Sequence, residues 1–361
     1  MTLLRFRALD KQNNPNTGTP SSYVEVTYRD EDTNLISELT FSQVDNIFKV
    51  PVQEALPDVS PPDRIFPSIG EVHEILDTQP SGNRHMVELL DLLSNVGIDL
   101  KSDEAISKIT KLEVEARGTE FIYDLPWESI FKDRDSSIPV VRRKYGAGSF
   151  ARELKNENYV FLISQGFDES GHPSYPRIID DLQQEALTAY KNIFEDITGS
   201  TKPQLLTVLR YLSRDSLKSI DLKSYSIIHL MLHGREDGYL GFEDASDHRK
   251  IEWIPPEAFV ELLKPHRYEL VFLSCCYSGY GDRDRQSLAQ MLINEGVAKT
   301  VVAFNGSMGS NVTLPGFVEK FYGRYSFAKD PEDAFIGAVD FLHRGKNRYR
   351  DKPVLFTGGA L

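Results

Sequence analysis

The sequence predicts an α/β fold: a mostly parallel central sheet with helices on both faces, plus a small N-terminal β-rich unit. Three observations predict it. Continuous apolar runs recur at 159–163 (YVFLI), 226–232 (SIIHLML), 270–273 (LVFL) and 299–304 (KTVVAF), the mark of strands buried on both faces. Helical patterns separate them, which implies crossover connections and parallel pairing. The first third instead alternates apolar and polar residues, as half-buried strands do.

Composition sets the outer bounds. At about 150 residues per domain, 361 residues suggest two domains or one with a large appendage. Hydrophobic residues are 40% and charged residues 26%, which excludes a mostly disordered chain. No apolar run reaches the roughly 18 residues of a membrane span. The start, MTLLRFRALDKQNN, lacks the pattern of a signal peptide, so a cytoplasmic protein is expected. The net charge of −13 argues against a dedicated nucleic-acid binder, which needs clustered Lys and Arg. The basic tract Arg344 to Lys352 reads as a solvated helix end.

The elements follow in order. Residues 22–28 and 35–41 alternate like strands around a polar turn at Arg29 to Asn34, forming a hairpin. Five prolines between Pro51 and Pro67 mark an extended connection and a boundary near residue 60. Ser68, with Glu71 three positions on, resembles a capping box. A helical run then places Met86, Leu89, Leu90, Leu93 and Val96 on one face and stops at Gly97. Residues 109–115 and 119–123 alternate again. Beyond 158, helices are expected at 180–197, 213–220, 255–263, 288–294, 317–325 and 330–343, with a further short strand at 205–208. The expected division is 1–60 as the small β-rich unit, 61–110 as a linker and helical segment, and 111–361 as the main domain.

Ligands of such sheets bind beyond the carboxyl ends of the strands. His233 and Gly234 directly follow one buried strand, and Ser274 to Gly279 follow another. Two strands thus deliver a histidine and the cysteines to one edge. Cys275 and Cys276 are the only cysteines. Adjacent residues bridge poorly and two cysteines alone cannot build a structural zinc site, so the pair is buried filler or reactive chemistry in a reducing compartment. A free thiol, with a pKa of about 8.5, is mostly protonated near neutrality. A neighbouring imidazole can take its proton, and the thiolate can then attack a carbonyl. The resulting oxyanion needs backbone donors, for which the amides of Gly234 and Cys276 are suited. Gly234 lets a carbonyl come close, and Gly279 permits a tight turn.

HLMLHG followed by LSCCYSG resembles the histidine and cysteine motifs of caspase-like cysteine peptidases, the clan of caspases, metacaspases and separases. The segment from about 110 to 345 resembles, more narrowly, the CHAT peptidase family. Leu125 to Glu128 resembles its LPWE leader, YVFLIS its first sheet strand, His233-Gly234 its histidine motif, and Leu273 to Gly279 its Leu-Ser-x-Cys-x-Ser/Thr-Gly motif. KTVVAF and the helix carrying Phe321 and Tyr322 complete the series. The resemblance implies a caspase-like fold, Cys276 as nucleophile, His233 as general base and Gly234 as an oxyanion donor, with no metal or organic cofactor. Cys275 stands where alanine is usual and reads as a buried spacer. His229, an even number of residues before His233, lies on the same face, where it orients the site or is a satisfied core histidine.

Substrate-binding residues are expected at Ser274, where relatives that cut after basic residues carry aspartate, at Asp282 and Asp284 after the nucleophile, at Glu236 after the histidine, and at Asn305 and Ser307 after the fourth strand. The resemblance also implies a protein substrate, a regulatory or sensor protein, and a prokaryotic role in defence or regulated cell death. Residues 1–60 serve as a docking element for such a regulator or as an extension of the sheet. The rival reading is a non-catalytic or latent caspase-fold interaction module acting through partner binding. A nucleotide-binding doubly wound protein is disfavoured, since no G-x-G-x-x-G loop follows an early strand.

Overall fold

The computed structural model describes residues 2–10, 22–40, 43–44, 81–100, 105–106, 108–116, 127, 138–144, 158–164, 206–209, 212–247, 250–281, 285–306, 313–344 and 353–358. The expected helices at 68 and 180–197, the proline-rich stretch and the strand at 119–123 lie outside them. Contacts divide the chain into two units, Met1–Glu113 with Leu125–Ile138, and Val114–Asp124 with Pro139–Leu361.

The first unit holds an antiparallel meander of β1 (Thr2–Asp10), β2 (Ser22–Arg29) and β3 (Asn34–Thr40). The β2–β3 hairpin turns where expected, with the Asp30 carboxylate accepting from the amides of Asp32 and Thr33, a local turn that aspartate favours. Alternation turns Leu4, Phe6, Ala8, Val24, Val26 and Tyr28 inward. Trp127, from the leader motif, is fully buried with its ring centroid 4.5 Å from that of Phe6. Helix α1 (Ser81–Asn95) stops as its sequence demands. Gly97 adopts φ 86 and Ile98 N–H bonds back to Leu93 O at 2.9 Å, a left-handed glycine cap with its apolar pair Leu93 and Ile98 buried. The first residues of β4 (Ile109–Ala116) lie beside β1, where Arg5 donates to Glu113 at 2.8 Å.

The second unit is a mixed α/β structure around a large, mostly parallel sheet. Its strands are β5 (Val140–Lys144), β6 (Tyr159–Ile163), β7 (Leu206–Leu209), β8 (Ile227–Met231), β12 (Tyr268–Ser274), β13 (Ala298–Phe304) and β14 (Pro353–Gly358). They run in the order β5-β14-β13-β12-β8-β6-β7. All neighbours are parallel except β13 and β14. The helices are α2 (Arg214–Ser219), α3 (Pro256–Leu263), α4 (Leu288–Asn294), α5 (Thr313–Ala328) and α6 (Pro331–Arg344). A second sheet, antiparallel, joins β9 (His233–Gly234), β10 (Leu240–Glu243) and β11 (Ile251–Ile254).

The period of two explains both layers. Phe161, Ile227, Met231, Leu270, Phe272, Val302, Phe304 and Leu355 face one side, against Phe317, Phe321, Tyr322 and Tyr325 of α5 and Phe335, Ala338 and Leu342 of α6. The alternate residues, Leu162, Ile228, Leu230, Val271, Leu273, Val301 and Ala303, are equally buried, and α4 packs on β13 and β14. Apolar runs without alternation are what this two-sided burial requires. Strands β1, β5, β14 and the second sheet were not expected. β5 (VVRRK) is half cationic, β10 and β11 are four residues each, and β14 directly follows the basic tract.

Candidate active site

Strands β8 and β12 are direct neighbours, paired from Leu270↔Ile227 to Ser274↔Met231. That last pair is closed by Leu232 N–H donating to Ser274 O at 3.3 Å, and His233 and Cys276 each lie two residues beyond it. Gly234 meets the cysteine itself. A Cβ on Gly234 would stand 2.0 Å from the carbonyl oxygen of Cys276 and 3.1 Å from its nitrogen. The backbone of the histidine motif therefore lies directly against that of the cysteine motif.

Each motif is held from its own side. His233 and Gly234 leave the main sheet to pair as β9 with Gly241 and Leu240 of β10. Gly241 has no side chain because His233 Cβ, Trp253 and Ile251 crowd the space one would occupy. The His233 side chain is exposed. The cysteine motif turns sharply after β12. Tyr277 has φ 58, a left-handed conformation that costs a non-glycine residue about 1–2 kcal/mol. The turn is anchored by Tyr277 N–H to Gly306 O at 3.2 Å and Gly279 N–H to Phe304 O at 2.9 Å. A Cβ on Gly279 would lie 2.4 Å from Val354 Cγ2 and 3.0 Å from Asn305 Oδ1, so this glycine is dictated by packing and not, as expected, by the backbone of the turn, since its φ is not left-handed.

The two cysteines differ. Cys276 is partly exposed, whereas Cys275 is buried with Sγ 4.0 Å from Leu230 O. Burial pushes the Cys275 thiol far up from its ordinary value, so it stays protonated and unreactive. His229 is buried at 1% exposure, stacked on Phe272 with ring centroids 4.4 Å apart. Its Nε2 lies 2.7 Å from Ser274 Oγ and its Nδ1 3.2 Å from Tyr322 Oη. Burial holds it well below the usual imidazole range, so it is a neutral bridge between β8, β12 and α5.

The other expected residues are placed as follows. Ser274 is 5% exposed and its hydroxyl is engaged by His229. Asn305 lies against Gly279. Glu236 joins the two motif loops through its main chain, its carbonyl accepting from Arg285 Nη2 at 2.5 Å. Asp282, Asp284 and Ser307 lie outside the described residues. Sequence reasoning pointed to Asp237 beside His233 but missed Arg235, which packs over the rings of Trp253 at 5.2 Å and Tyr239 at 5.4 Å and pairs with Asp237 at 2.5 Å. It also missed Ser278, which is buried with its hydroxyl bonded to Cys275 O at 2.9 Å. Among the described residues, no group of three or more His, Cys, Asp or Glu could hold a metal ion, and no helix is long and apolar enough to cross a membrane.

No protein-family model and no curated protein sequence matches the chain. Its shape is similar to the separase–securin complex of Saccharomyces cerevisiae, at 14% identity and a TM-score of 0.40. That likeness covers 88% of this chain, which spans only 22% of the other. It is also similar to the Arg-specific cysteine proteinase gingipain R, at 11% identity and a TM-score of 0.37, over 74% of this chain and 69% of that one.

Proposed function

We propose that the chain is a caspase-like cysteine endopeptidase of the CHAT type acting through a Cys276–His233 dyad. The observation that carries this reading is the close approach of Gly234 to the Cys276 backbone, just beyond the last β8–β12 pair. The partial exposure of Cys276 beside a buried, unreactive Cys275 favours the same assignment.

The chemistry is acyl transfer. His233 takes the Cys276 thiol proton as sulfur attacks the peptide carbonyl carbon. The C–S bond forms, and the carbonyl electron pair moves to oxygen, where the N–H groups of Gly234 and Cys276 stabilise it. The C–N bond then breaks as His233 returns the proton to the leaving amine. Water, deprotonated by the same imidazole, hydrolyses the thioester and frees the thiol. Glu236 and Asn305 are the candidate substrate-binding residues among those described, with Asp282, Asp284 and Ser307 as candidates from sequence, whereas Ser274 is occupied in holding His229.

In this reading the peptidase domain is 111–361, preceded by a β-rich unit at 1–60 that docks a regulatory or sensor protein and by a connection at 61–110. The protein acts in the cytoplasm on a protein substrate, in prokaryotic defence or regulated cell death, without nucleic-acid contact or cofactor. The test is a fluorogenic peptide library and a matched set of peptidyl chloromethyl ketones, applied with and without candidate activators. Turnover and an adduct on Cys276 are expected, both abolished in Cys276→Ala and strongly slowed in His233→Ala. An adduct that forms equally well in His233→Ala would sink the dyad. Absence of any adduct under all conditions would favour a non-catalytic interaction module.

A further inference from the structure

We propose that Ser278 is a positioning residue whose buried hydroxyl aims the Cys276 amide at the developing oxyanion, an inference that rests on the peptidase reading above. Ser278 is 2% exposed. Its Oγ donates to Cys275 O at 2.9 Å and accepts from Phe304 N–H at 3.2 Å. Its own amide also reaches Cys275 O, at 3.4 Å, and its carbonyl accepts from Ala289 N–H at 3.0 Å. One side chain therefore ties the cysteine turn to the end of β13, while its main chain ties that turn to the first residues of α4.

The bonded carbonyl is the important one. Cys275 C=O and Cys276 N–H belong to a single peptide unit. That unit is planar and trans, so its C=O and N–H point in opposite directions. Fixing the carbonyl against Ser278 thereby fixes the direction of the Cys276 N–H. A hydrogen bond to the carbonyl also polarises the amide and makes its N–H a stronger donor. The turn needs such a hold, because Tyr277 at φ 58 is a conformation that persists only when its surroundings over-determine it. Without the hydroxyl, the Phe304 amide loses this acceptor and the Cys275 carbonyl is left with the longer 3.4 Å bond from the Ser278 amide, which holds the peptide unit less firmly.

The experiment compares Ser278→Ala with Ser278→Thr, which keeps the hydroxyl, using the peptide sequence the wild-type enzyme selects from the library. Loss of an oxyanion donor costs about 10²–10³ in kcat, and Ser278→Ala misdirects the donor without deleting it. We expect kcat to fall about 10- to 100-fold with KM unchanged, and Ser278→Thr to restore it. A peptidyl aldehyde, whose adduct carries an oxyanion, should bind Ser278→Ala correspondingly more weakly. Iodoacetamide alkylates sulfur without forming an oxyanion, so its rate at Cys276 should stay at the wild-type value. Wild-type kcat in Ser278→Ala, failure of threonine to rescue, or iodoacetamide reactivity that falls in step with kcat each overturn the assignment. A wild-type chain that neither cleaves peptide nor captures the aldehyde sinks the peptidase reading and this inference with it. A reactive wild type beside an equally reactive Ser278→Ala sinks this inference alone.

Discussion

Gly234→Ala is the most direct perturbation of the contact between the two motifs. The added Cβ would stand 2.0 Å from Cys276 O, 3.0 Å from its carbonyl carbon and 3.1 Å from its nitrogen. These are main-chain atoms, so no rotamer change relieves the overlap. Opening 2.0 Å to the 3.4 Å of ordinary contact parts the two backbones by about 1.4 Å. In a reacting geometry, a displacement of about 1 Å costs on the order of 10² in rate, or about 2.7 kcal/mol of barrier. Overpacking of this kind also costs about 1–3 kcal/mol of stability, with Tm falling about 2–4 °C for each kcal/mol in a domain of this size. The assay is the second-order rate of Cys276 labelling by the best peptidyl chloromethyl ketone, alongside thermal melting. Gly323→Ala supplies the control. Its Cβ would meet nothing within 4 Å, and it lies inside α5, where alanine gains about 1 kcal/mol over glycine. Labelling should fall about a hundredfold in Gly234→Ala and hold in Gly323→Ala. If Gly234→Ala labels and melts like the wild type, the motif backbones are not in the contact described and the proposed pairing of His233 with Cys276 loses its support.

Two further outcomes follow from burial. Native protein treated with limiting iodoacetamide should be modified at Cys276 before Cys275, because burial keeps the Cys275 thiol protonated; peptide mapping checks the order, which should vanish once the chain is unfolded in guanidinium. The His229 imidazole is held neutral and well below its ordinary value of 6.5 by burial, so the unfolded chain binds the extra proton first and stability must fall as pH drops below that value. Urea midpoints measured on either side of it should show a shallower pH slope in His229→Gln than in the wild type, and equal slopes would refute the buried-neutral assignment.

The parts of this molecule that were legible in sequence are those where one residue's burial is set by a simple period. β8, β12 and β13 are buried on both faces, so their apolar runs could be read as such. Helix α1 carried its own stop signal in Gly97. The two motifs stood out for the same reason, as each comes directly after a buried strand, although the turn at the cysteine motif and the departure of His233 into a second sheet were not legible. What stayed hidden depends on partners far along the chain. Nothing in LGFE or IEWI announces that they pair to carry His233 into a second sheet. The β14 segment reads as the end of a basic tract until β13 and β5 are found on either side of it.

The glycines and serines of the cysteine and histidine motifs show why residue type alone underdetermines role. Gly234 invites the reading that a substrate carbonyl needs room at its N–H. In the structure, the space a side chain would fill is held by Cys276, so the glycine is first a condition for the two motifs to meet. Gly279 is similarly enclosed by Val354 and Asn305. Ser274 and Ser278 both look like small polar loop residues, yet one hydroxyl is engaged by a buried histidine and the other grips the peptide unit between Cys275 and Cys276. A buried hydroxyl bonded to main chain contributes about 1 kcal/mol per bond to stability, but the same bonds fix a direction, and for the activity proposed above direction is the scarcer quantity. The small residues around Cys276 therefore serve to bring backbone close to backbone, and the chemistry proposed for the thiol and imidazole depends on that approach before it depends on either side chain's basicity.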